Sequence, residues 1–263
     1  MNDFLYCNME GLQVYYNNSK DGDIYHTVVG IILQNIHKVK NCTIYDLAEL
    51  CYVSPTTISR LSKKLGYRGF QDFKNNLINT IKNYEMLNRY VSFNAKAKYE
   101  DDLVAYLALM ERQVSNLRED ISVEKMDQII DSIQNSKKVN FYTNGTVFSE
   151  YRFQGDLIMT GHMSEIKNSA SEQLEDIKNL TEKDMVIMLA PIVSDAVDVN
   201  EIIRKIKERG AALFVLTDAY YPQFKKYADH IYCFEGDMGI IDDYRFAMYI
   251  NLLSIRFREK VMV

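Results

Sequence analysis

The segment TIYDLAELCYVSPTTISRLSKKLG, residues 43–66, constrains the fold more than any other part of the sequence. Thr43 and Asp46 have the spacing of a capping box, which predicts the start of one short helix. Ser54 and Pro55 predict the start of a second, because serine caps helix N-termini and proline loses no hydrogen bond at the first helical position. The glycine that closes the segment predicts its end. Only a brief turn separates the two helices, so the segment predicts a helix-turn-helix.

The second of these helices has two chemically different faces. Helical spacing directs Ile58, Leu61 and Leu65 inward. On the opposite face, short hydroxyl side chains can approach base edges, an arginine can bind guanine through two hydrogen bonds, and lysines suit phosphates. A solvated basic face is the simpler interpretation, but the tight capped turn and the small outer residues favour DNA binding. The expected DNA-binding residues in this helix are Ser54, Thr56, Thr57, Ser59, Arg60, Lys63 and Lys64.

Charge is distributed unevenly along the chain. Residues 24–82 carry eight cationic and three anionic side chains, a net charge of +5, whereas the whole chain carries −5 and the remainder therefore −10. Cations collected in one module produce a local positive field. We therefore predict three regions: a helical DNA-binding domain in residues 1–82, a linker in 83–102, where apolar periodicity weakens, and a second domain in 103–263.

Apolar periodicity predicts two further helices with buried faces. The helix that precedes the motif should bury Ile24, Val28, Ile31, Ile32 and Ile36. The C-terminal helix should bury Phe246, Tyr249, Ile250, Leu253 and Phe257. This last helix either packs on its own domain or contributes to a subunit interface, and the two interpretations are compatible.

The second domain alternates strand and helix patterns. Apolar runs at residues 138–143, 184–190, 211–217 and 230–235 predict buried strands, and helical patterns lie between them. This alternation predicts an α/β domain with a doubly wound parallel sheet, whose ligands bind beyond the carboxyl ends of the strands.

Residues 43–77 strongly resemble the N-terminal domain of the RpiR/MurR family of bacterial transcriptional regulators. The ending LGYRGFQDFK is similar to the habitual LGY-x-GF-x-x-FK of that family. In it, Tyr67, Phe70 and Phe73 should pack in the core, while Arg68 and Lys74 could contact the DNA backbone. The resemblance implies that the second domain is a sugar-isomerase (SIS) domain, which in this family serves dimerisation and sensing.

The two expected ligand loops depart from the family pattern. SIS domains typically have GxGxS after the first strand, but this chain has GTVFS, in which Val147 replaces the second glycine. The family pattern S-x-S-G-x-T after the strand at 184–190 corresponds here to APIVSD. Three hydroxyls are absent, Val193 replaces a glycine, and Asp195 stands in the place of the final threonine. These changes predict that ordinary phosphosugar recognition has been lost.

Three functional hypotheses follow. The first is a DNA-binding regulator of carbohydrate metabolism whose SIS-like domain senses a small metabolite. The second is a regulator whose SIS-like domain is a ligand-free dimerisation scaffold. The third is a sugar-phosphate isomerase. The third is disfavoured because the phosphate-binding pattern is missing, so we expect no enzymatic activity and no catalytic residues. The expected ligand-binding residues are Asn144, Gly145, Thr146, Ser149, Ser194 and Asp195.

Composition completes the expectations. The four cysteines have no CxxC spacing and the four histidines are dispersed, so we expect reduced thiols, no metal site and no cofactor. No stretch is long and apolar enough to span a membrane, and the first residues lack the pattern of a signal peptide. We expect a cytoplasmic homodimer or tetramer that binds a double-stranded DNA operator.

Overall fold

The structure, a computed structural model, describes residues 9–20, 22–86, 101–143, 148–168, 170–190, 199–218, 222–234 and 242–262. The chain divides into two compact units, Met1–Asn88 and Arg89–Val263. Residues 87–100, which make up most of the predicted linker, lie outside the described residues. No helix in the described part of the chain is long and apolar enough to cross a membrane.

The described part of the N-terminal unit is all helical. Its elements are α1 (Met9–Asn18), α2 (Ile24–Gln34), α3 (Ile36–Val39), α4 (Ile44–Leu50), α5 (Pro55–Lys64) and α6 (Phe70–Met86). One hydrophobic core receives buried side chains from all six of these helices. Helices α4 and α5 are the predicted helix-turn-helix.

The starts of α4 and α5 are capped as the sequence predicts. The Thr43 amide donates to Asp46 Oδ2 over 2.8 Å, and the Asp46 amide donates to Thr43 Oγ1 over 3.2 Å, which completes the capping box. At α5 the Thr57 amide donates to Ser54 Oγ over 3.2 Å, and proline occupies the first turn. Both predicted helix starts are therefore confirmed.

The predicted buried face of the helix before the motif differs from the structure in two positions, because Ile24 is exposed and Ile36 lies on α3 and not on α2. Val28, Val29 and Ile32 are fully buried, whereas Ile24 is 52% exposed. Ile24 is the first residue of α2, so it lies at the helix end, beyond the core that its periodicity suggests.

Helix α1, which is not among the predicted helices, packs against α2 and adds Leu12 and Tyr15 to the core. Gly30 of α2 lies at this contact, and a Cβ atom there would come within 2.9 Å of Cε2 of Tyr16, so the tyrosine ring would have to shift. The packing of α1 affects the surface of α5, as described below.

The aromatic residues after α5 pack in the core, as predicted. Tyr67 and Phe73 are 6% and 1% exposed, and their rings meet edge to face with centroids 5.2 Å apart. Phe70 is partly buried against the same core. These contacts attach α6 to the helix-turn-helix.

The C-terminal unit alternates helices and strands. Its described elements are α7 (Asp102–Asp120), α8 (Val123–Gln134), β1 (Lys138–Tyr142), α9 (Phe148–Met159), β2 (Ile166–Lys167), α10 (Ala170–Ile177), β3 (Asp184–Ala190), α11 (Val199–Glu208), β4 (Ala212–Thr217), α12 (Pro222–Tyr227), β5 (His230–Cys233) and α13 (Asp242–Val261).

The five strands form one parallel sheet in the order β2-β1-β3-β4-β5. In its centre, Phe141 pairs with Ile187 and Ile187 with Phe214. The four predicted strands are confirmed, and β2 is an addition, since a strand of two residues leaves no periodic signal. The chain reverses its direction of winding between β1 and β3, and in such sheets ligands bind at this switch point.

Helices cover both faces of the sheet, because successive side chains of a strand point to opposite sides. Phe141, Ile187 and Phe214 share a core with α8, α9 and α13. Val186 and Val215 share the opposite core with α10, α11 and α12. The α/β doubly wound prediction is therefore confirmed, and this is the arrangement that the resemblance to SIS domains implies.

Helix α13 buries its predicted face against its own domain. The members of this face are 0–3% exposed, and they are Phe246, Tyr249, Ile250, Leu253 and Phe257. The guanidinium of Arg256 also binds Asp127 of α8 through two hydrogen bonds of 2.8 and 2.9 Å. The first interpretation of this helix is confirmed, while its part in a subunit interface stays a prediction.

A polar network lies between β1 and α10. Oδ2 of Asp176 accepts hydrogen bonds from the Asn140 amide (2.6 Å) and the Tyr142 hydroxyl (2.8 Å), and Oδ1 binds the Lys138 ammonium at 2.7 Å. Lys138 also lies 3.3 Å from the carboxylate of Glu165. Lys138, Asn140 and Tyr142 alternate along β1 and therefore point to the same face of the sheet. One buried carboxylate thus serves three donors.

Candidate nucleic-acid interface

Helix α5 presents its cationic side chains to solvent. Ile58, Leu61 and Leu65 are at most 1% exposed, as predicted. Arg60 and Lys63 lie exposed on the other side. Within the described part of the chain neither has an acidic partner, so both charges are available to an anion.

The hydroxyl groups of α5 have different environments. Ser54 Oγ accepts a hydrogen bond from the Thr57 amide and lies 3.0 Å from Thr57 Oγ1. These two side chains therefore stabilise the N-terminus of the helix. Thr56 is exposed and Ser59 is half-buried. Ser62 is buried and donates to the carbonyl of Ile58 over 3.0 Å, on the inner side of the helix.

Lys64 differs from Lys63 because it faces two tyrosines. Its ammonium lies 4.8 Å from the ring centre of Tyr25 and 5.5 Å from that of Tyr15. The hydrogen bond with Tyr15 raises the pKa of Lys64. The cation therefore interacts with tyrosines of α1 and α2. The prediction of a phosphate contact for Lys64 did not include this interaction, because α1 was not predicted.

The remaining predicted contact, Arg68, lies exposed between α5 and α6. Its backbone amide donates to Asp72 Oδ2 over 3.0 Å, which fixes the chain at this point. Arg68 thus follows the C-terminal end of α5, the end at which Lys63 and Lys64 lie.

Both helices of the motif end in the same hydrogen-bonded turn. The Val53 amide donates to Ala48 O (2.9 Å) and the Tyr52 amide to Glu49 O (3.1 Å), the two bonds of a Schellman motif. At the end of α5 the Tyr67 amide donates to the carbonyl of Ser62 and the Gly66 amide to that of Lys63, both over 3.0 Å. The left-handed position is occupied by Tyr52, with φ of 55°, after α4 and by Gly66, with φ of 92°, after α5.

Cys51 caps the C-terminus of α4 and is 3% exposed. Burial raises the pKa of its thiol to about 11. Its side chain belongs to the core beneath the turn of the motif.

Most of the residues predicted to bind an effector lie outside the described residues, namely Asn144, Gly145, Thr146, Ser194 and Asp195. Ser149 is described, at the first turn of α9. It is 3% exposed, and its hydroxyl donates to Glu150 Oε2 over 3.1 Å.

The carboxyl ends of the strands at the switch point are held by neighbouring side chains. The Gln173 amide donates to the carbonyl of Thr143 over 3.1 Å, just after β1. Thr217 Oγ1 donates to the carbonyl of Ala190 over 2.8 Å, at the end of β3. No three His, Cys, Asp or Glu side chains of the described stretches are grouped in a way that could hold a metal ion.

Residues 19–84, which include the helix-turn-helix and its exposed basic face, match the helix-turn-helix domain of the rpiR family. Residues 19–84 therefore form a helix-turn-helix domain of the RpiR type. The match extends from the residues before α2 almost to the end of α6. It therefore covers the core into which α4 and α5 pack as well as the motif itself.

Other proteins are similar to this chain over more of its length. An uncharacterised helix-turn-helix transcriptional regulator of Clostridium perfringens is 24% identical, and the alignment covers 78% of this chain and 74% of that protein. The Vibrio vulnificus NanR protein, solved in complex with ManNAc-6P, is 16% identical over 95% of this chain and 92% of that chain, with a TM-score of 0.49. The crystal structure of a hypothetical protein has a similar fold, at 17% identity and a TM-score of 0.50. The similarity covers 60% of this chain and 89% of the hypothetical protein's chain.

Proposed function

We propose that this regulator binds a double-stranded operator by placing α5 in the major groove, with Arg60 as the principal base-reading residue. The observation that carries the proposal is the two-sided character of α5. Its apolar side is fully committed to the core, while Arg60 and Lys63 are exposed on the other side without acidic partners among the described residues. A guanidinium in this position suits guanine, and an ammonium suits phosphate.

The other side chains of the interface have supporting roles. Ser54 and Thr57 hold the N-terminus of α5, whose amides and dipole favour a phosphate. Thr56 and Ser59 are short enough to let the helix approach base edges. Arg68 extends the basic surface along the backbone, and Lys64 contributes through its interaction with the tyrosines of α1 and α2.

Replacing Arg60 by alanine should weaken binding to the operator by about 1–3 kcal/mol, roughly 5- to 150-fold, and relax base preference at one position. Replacing Lys63 by alanine should weaken all sequences similarly and reduce the salt slope of log K by about one, since one phosphate contact is lost. The measurement is fluorescence anisotropy on an operator selected from random DNA, at several salt concentrations.

Lys125→Ala is the matched control, because it removes an exposed cation from the C-terminal unit. It should leave both affinity and salt slope unchanged. Unchanged binding by both α5 variants would show that another surface reads the DNA.

A second part of the proposal is that the regulator is a homodimer, or a dimer of dimers, held by its C-terminal unit. Symmetric operators require paired reading heads. Helix α7 offers a surface for this pairing: Leu103, Leu107 and Val114 are 76%, 61% and 50% exposed, and with the half-buried Met110 they repeat at intervals of four and three residues. This spacing places them in one stripe, as in paired helices.

We therefore expect Leu107→Glu to convert the full-length dimer into a monomer at micromolar concentration and to weaken operator binding, because a carboxylate would be buried against the second copy. Light scattering coupled to gel filtration gives the mass. Val123→Glu is the control, since Val123 is 53% exposed but lies outside the stripe, on α8. A monomeric wild-type protein would contradict the proposal.

For the C-terminal unit we propose a sensory role, with a small metabolite bound at the switch point between β1 and β3. Asn144, Gly145, Thr146, Ser149, Ser194 and Asp195 would suit a neutral or cationic molecule better than an anion. Similarity to transcriptional regulators supports a role without catalysis, and hence action on DNA in the cytoplasm. If the unit is instead a ligand-free scaffold, metabolite extracts will leave operator affinity unchanged; if it is an isomerase, sugar phosphates will be turned over.

A further inference from the structure

Tyr52 occupies a position that is costly for its residue type. Among the described residues it is the only non-glycine residue with positive φ. The other described residues with positive φ are glycines, namely Gly22, Gly66, Gly161 and Gly210. The left-handed region brings Cβ close to the following carbonyl oxygen, which penalises every residue with a side chain. Tyrosine lacks the short polar side chain that lets asparagine tolerate this conformation.

The same chain shows which residue suits this turn when only the turn matters. Helix α5 ends in a Schellman motif with Gly66 in the left-handed position, and α9 does so with Gly161, where the His162 amide donates to Leu157 O over 3.0 Å. The motif after α4 has the same two backbone hydrogen bonds. Glycine at position 52 would make both of them, so the turn itself does not require a tyrosine.

Contacts within the chain do not compensate for the strain. The side chain of Tyr52 is 92% exposed, and it forms no ring contact or hydrogen bond among the described residues. It is more exposed than Tyr45, another exposed aromatic residue in the motif, at 72%. Strained residues persist where the strain serves an interaction, and such residues cluster at binding sites.

The position of Tyr52 indicates where that interaction occurs. Tyr52 lies two residues before Ser54, the N-cap of α5, in the turn between the two helices of the motif. Recognition helices contact base edges with their N-terminal residues, so we expect this end of α5 to lie at the groove in the proposed complex. Tyrosine is among the side chains that hydrogen-bond to phosphate oxygens at such interfaces, and these contacts position the protein on the duplex.

We propose that Tyr52 is a DNA-contacting residue, whose ring lies against the sugar–phosphate backbone at the edge of the half-site and whose hydroxyl donates a hydrogen bond to a phosphate oxygen. The inference rests on the proposed function of α5 and extends it to a residue outside the helix. The contact orients α5, and its energy offsets the strain of the turn only when DNA is bound.

The test compares full-length wild type with Tyr52→Gly and Tyr52→Phe. Tyr52→Gly should raise the Tm of the N-terminal unit by about 2–8 °C, because the strain is relieved, yet weaken operator binding about tenfold or more. The salt slope should not change, because no charge is removed. Tyr52→Phe keeps the ring and the strain, so its Tm should equal that of wild type while its affinity falls by a smaller factor.

Gly66→Ala provides the reverse control, since adding a side chain at the left-handed position of α5 should lower the Tm. Wild-type operator affinity in Tyr52→Gly would overturn the inference, and so would a Tm below that of wild type. Failure of the wild-type protein to select any DNA sequence would instead refute the proposed function of α5, so the two failures are distinguishable.

Discussion

Replacing Asp176 by alanine is expected to destabilise the C-terminal unit by about 3–5 kcal/mol, the range observed when one partner of a buried ion pair is removed. The carboxylate is 7% exposed and serves the Lys138 ammonium, the Asn140 amide and the Tyr142 hydroxyl. Lys138 retains Glu165, but the other two groups would lose this acceptor inside the protein. The Tyr142 hydroxyl keeps only a longer hydrogen bond of 3.4 Å to the carbonyl of Gln173, and the Asn140 amide loses its hydrogen bond to the carboxylate without regaining water.

Urea unfolding of the full-length protein measures the effect, and the neighbouring residue provides the control. Glu175 pairs with Lys178, which directly follows the end of α10, but both side chains are more than 60% exposed. Glu175→Ala should change the unfolding free energy by less than about 1 kcal/mol. Equal effects of the two substitutions would mean that the Asp176 network does not stabilise the fold.

The acid dependence of the Asp176 variant follows from the pKa of this carboxyl. Burial alone would raise the pKa, but hydrogen bonds from Lys138, Tyr142 and Asn140 lower it below the ordinary value of 3.8. A group whose pKa is lower in the folded state stabilises the protein above its unfolded pKa and loses that contribution as the pH falls through its folded pKa. The difference between wild type and Asp176→Ala should therefore be constant near neutral pH and narrow below about pH 4.

The second large effect concerns the ligand of the C-terminal unit. We expect hexose, pentose and amino-sugar phosphates to bind the full-length protein no more tightly than about 100 μM, equivalent to about −5.5 kcal/mol. Ala190 and Ile192 stand where the family pattern has serines, and each lost hydrogen bond to a charged group costs about 1.5–3 kcal/mol. Asp195 adds repulsion toward a phosphate dianion.

Calorimetry and thermal shift with each sugar phosphate at millimolar concentration test this expectation. A variant with Val193→Gly and Asp195→Thr restores two positions of the family pattern and should bind at least one of these compounds more tightly than wild type does. Binding of any of them by the wild-type protein below 100 μM would contradict the loss of phosphosugar recognition.

Local physics predicted the helix-turn-helix well. The starts of α4 and α5 depend on Thr43, Asp46, Ser54 and Pro55. Each of these residues acts on neighbours that are less than one helical turn away along the chain. Their effect can therefore be inferred without knowledge of the tertiary fold. The inward face of α5 followed in the same way, because its periodicity agrees with its burial.

Features that depend on distant parts of the chain could not be predicted in this way. The position of Lys64 depends on the packing of α1, and β2 is too short to show a pattern. The partners of Asp176 lie 34–38 residues away, on β1. Tyr52 is intermediate: the turn was predicted, but the conflict between its backbone conformation and its residue type became visible only in the structure.

The buried thiol of Cys51 makes the opening of the DNA-binding unit chemically observable. A thiol whose pKa is about 11 has almost no thiolate at neutral pH, and thiolate is the form that reacts with alkylating reagents and oxidants. Cys51 lies beneath the turn of the motif, so reagents reach it only when α4 and α5 separate from the core. Its rate of alkylation therefore reports local unfolding of the recognition element, and bound operator should slow that reaction in proportion to the stability it adds.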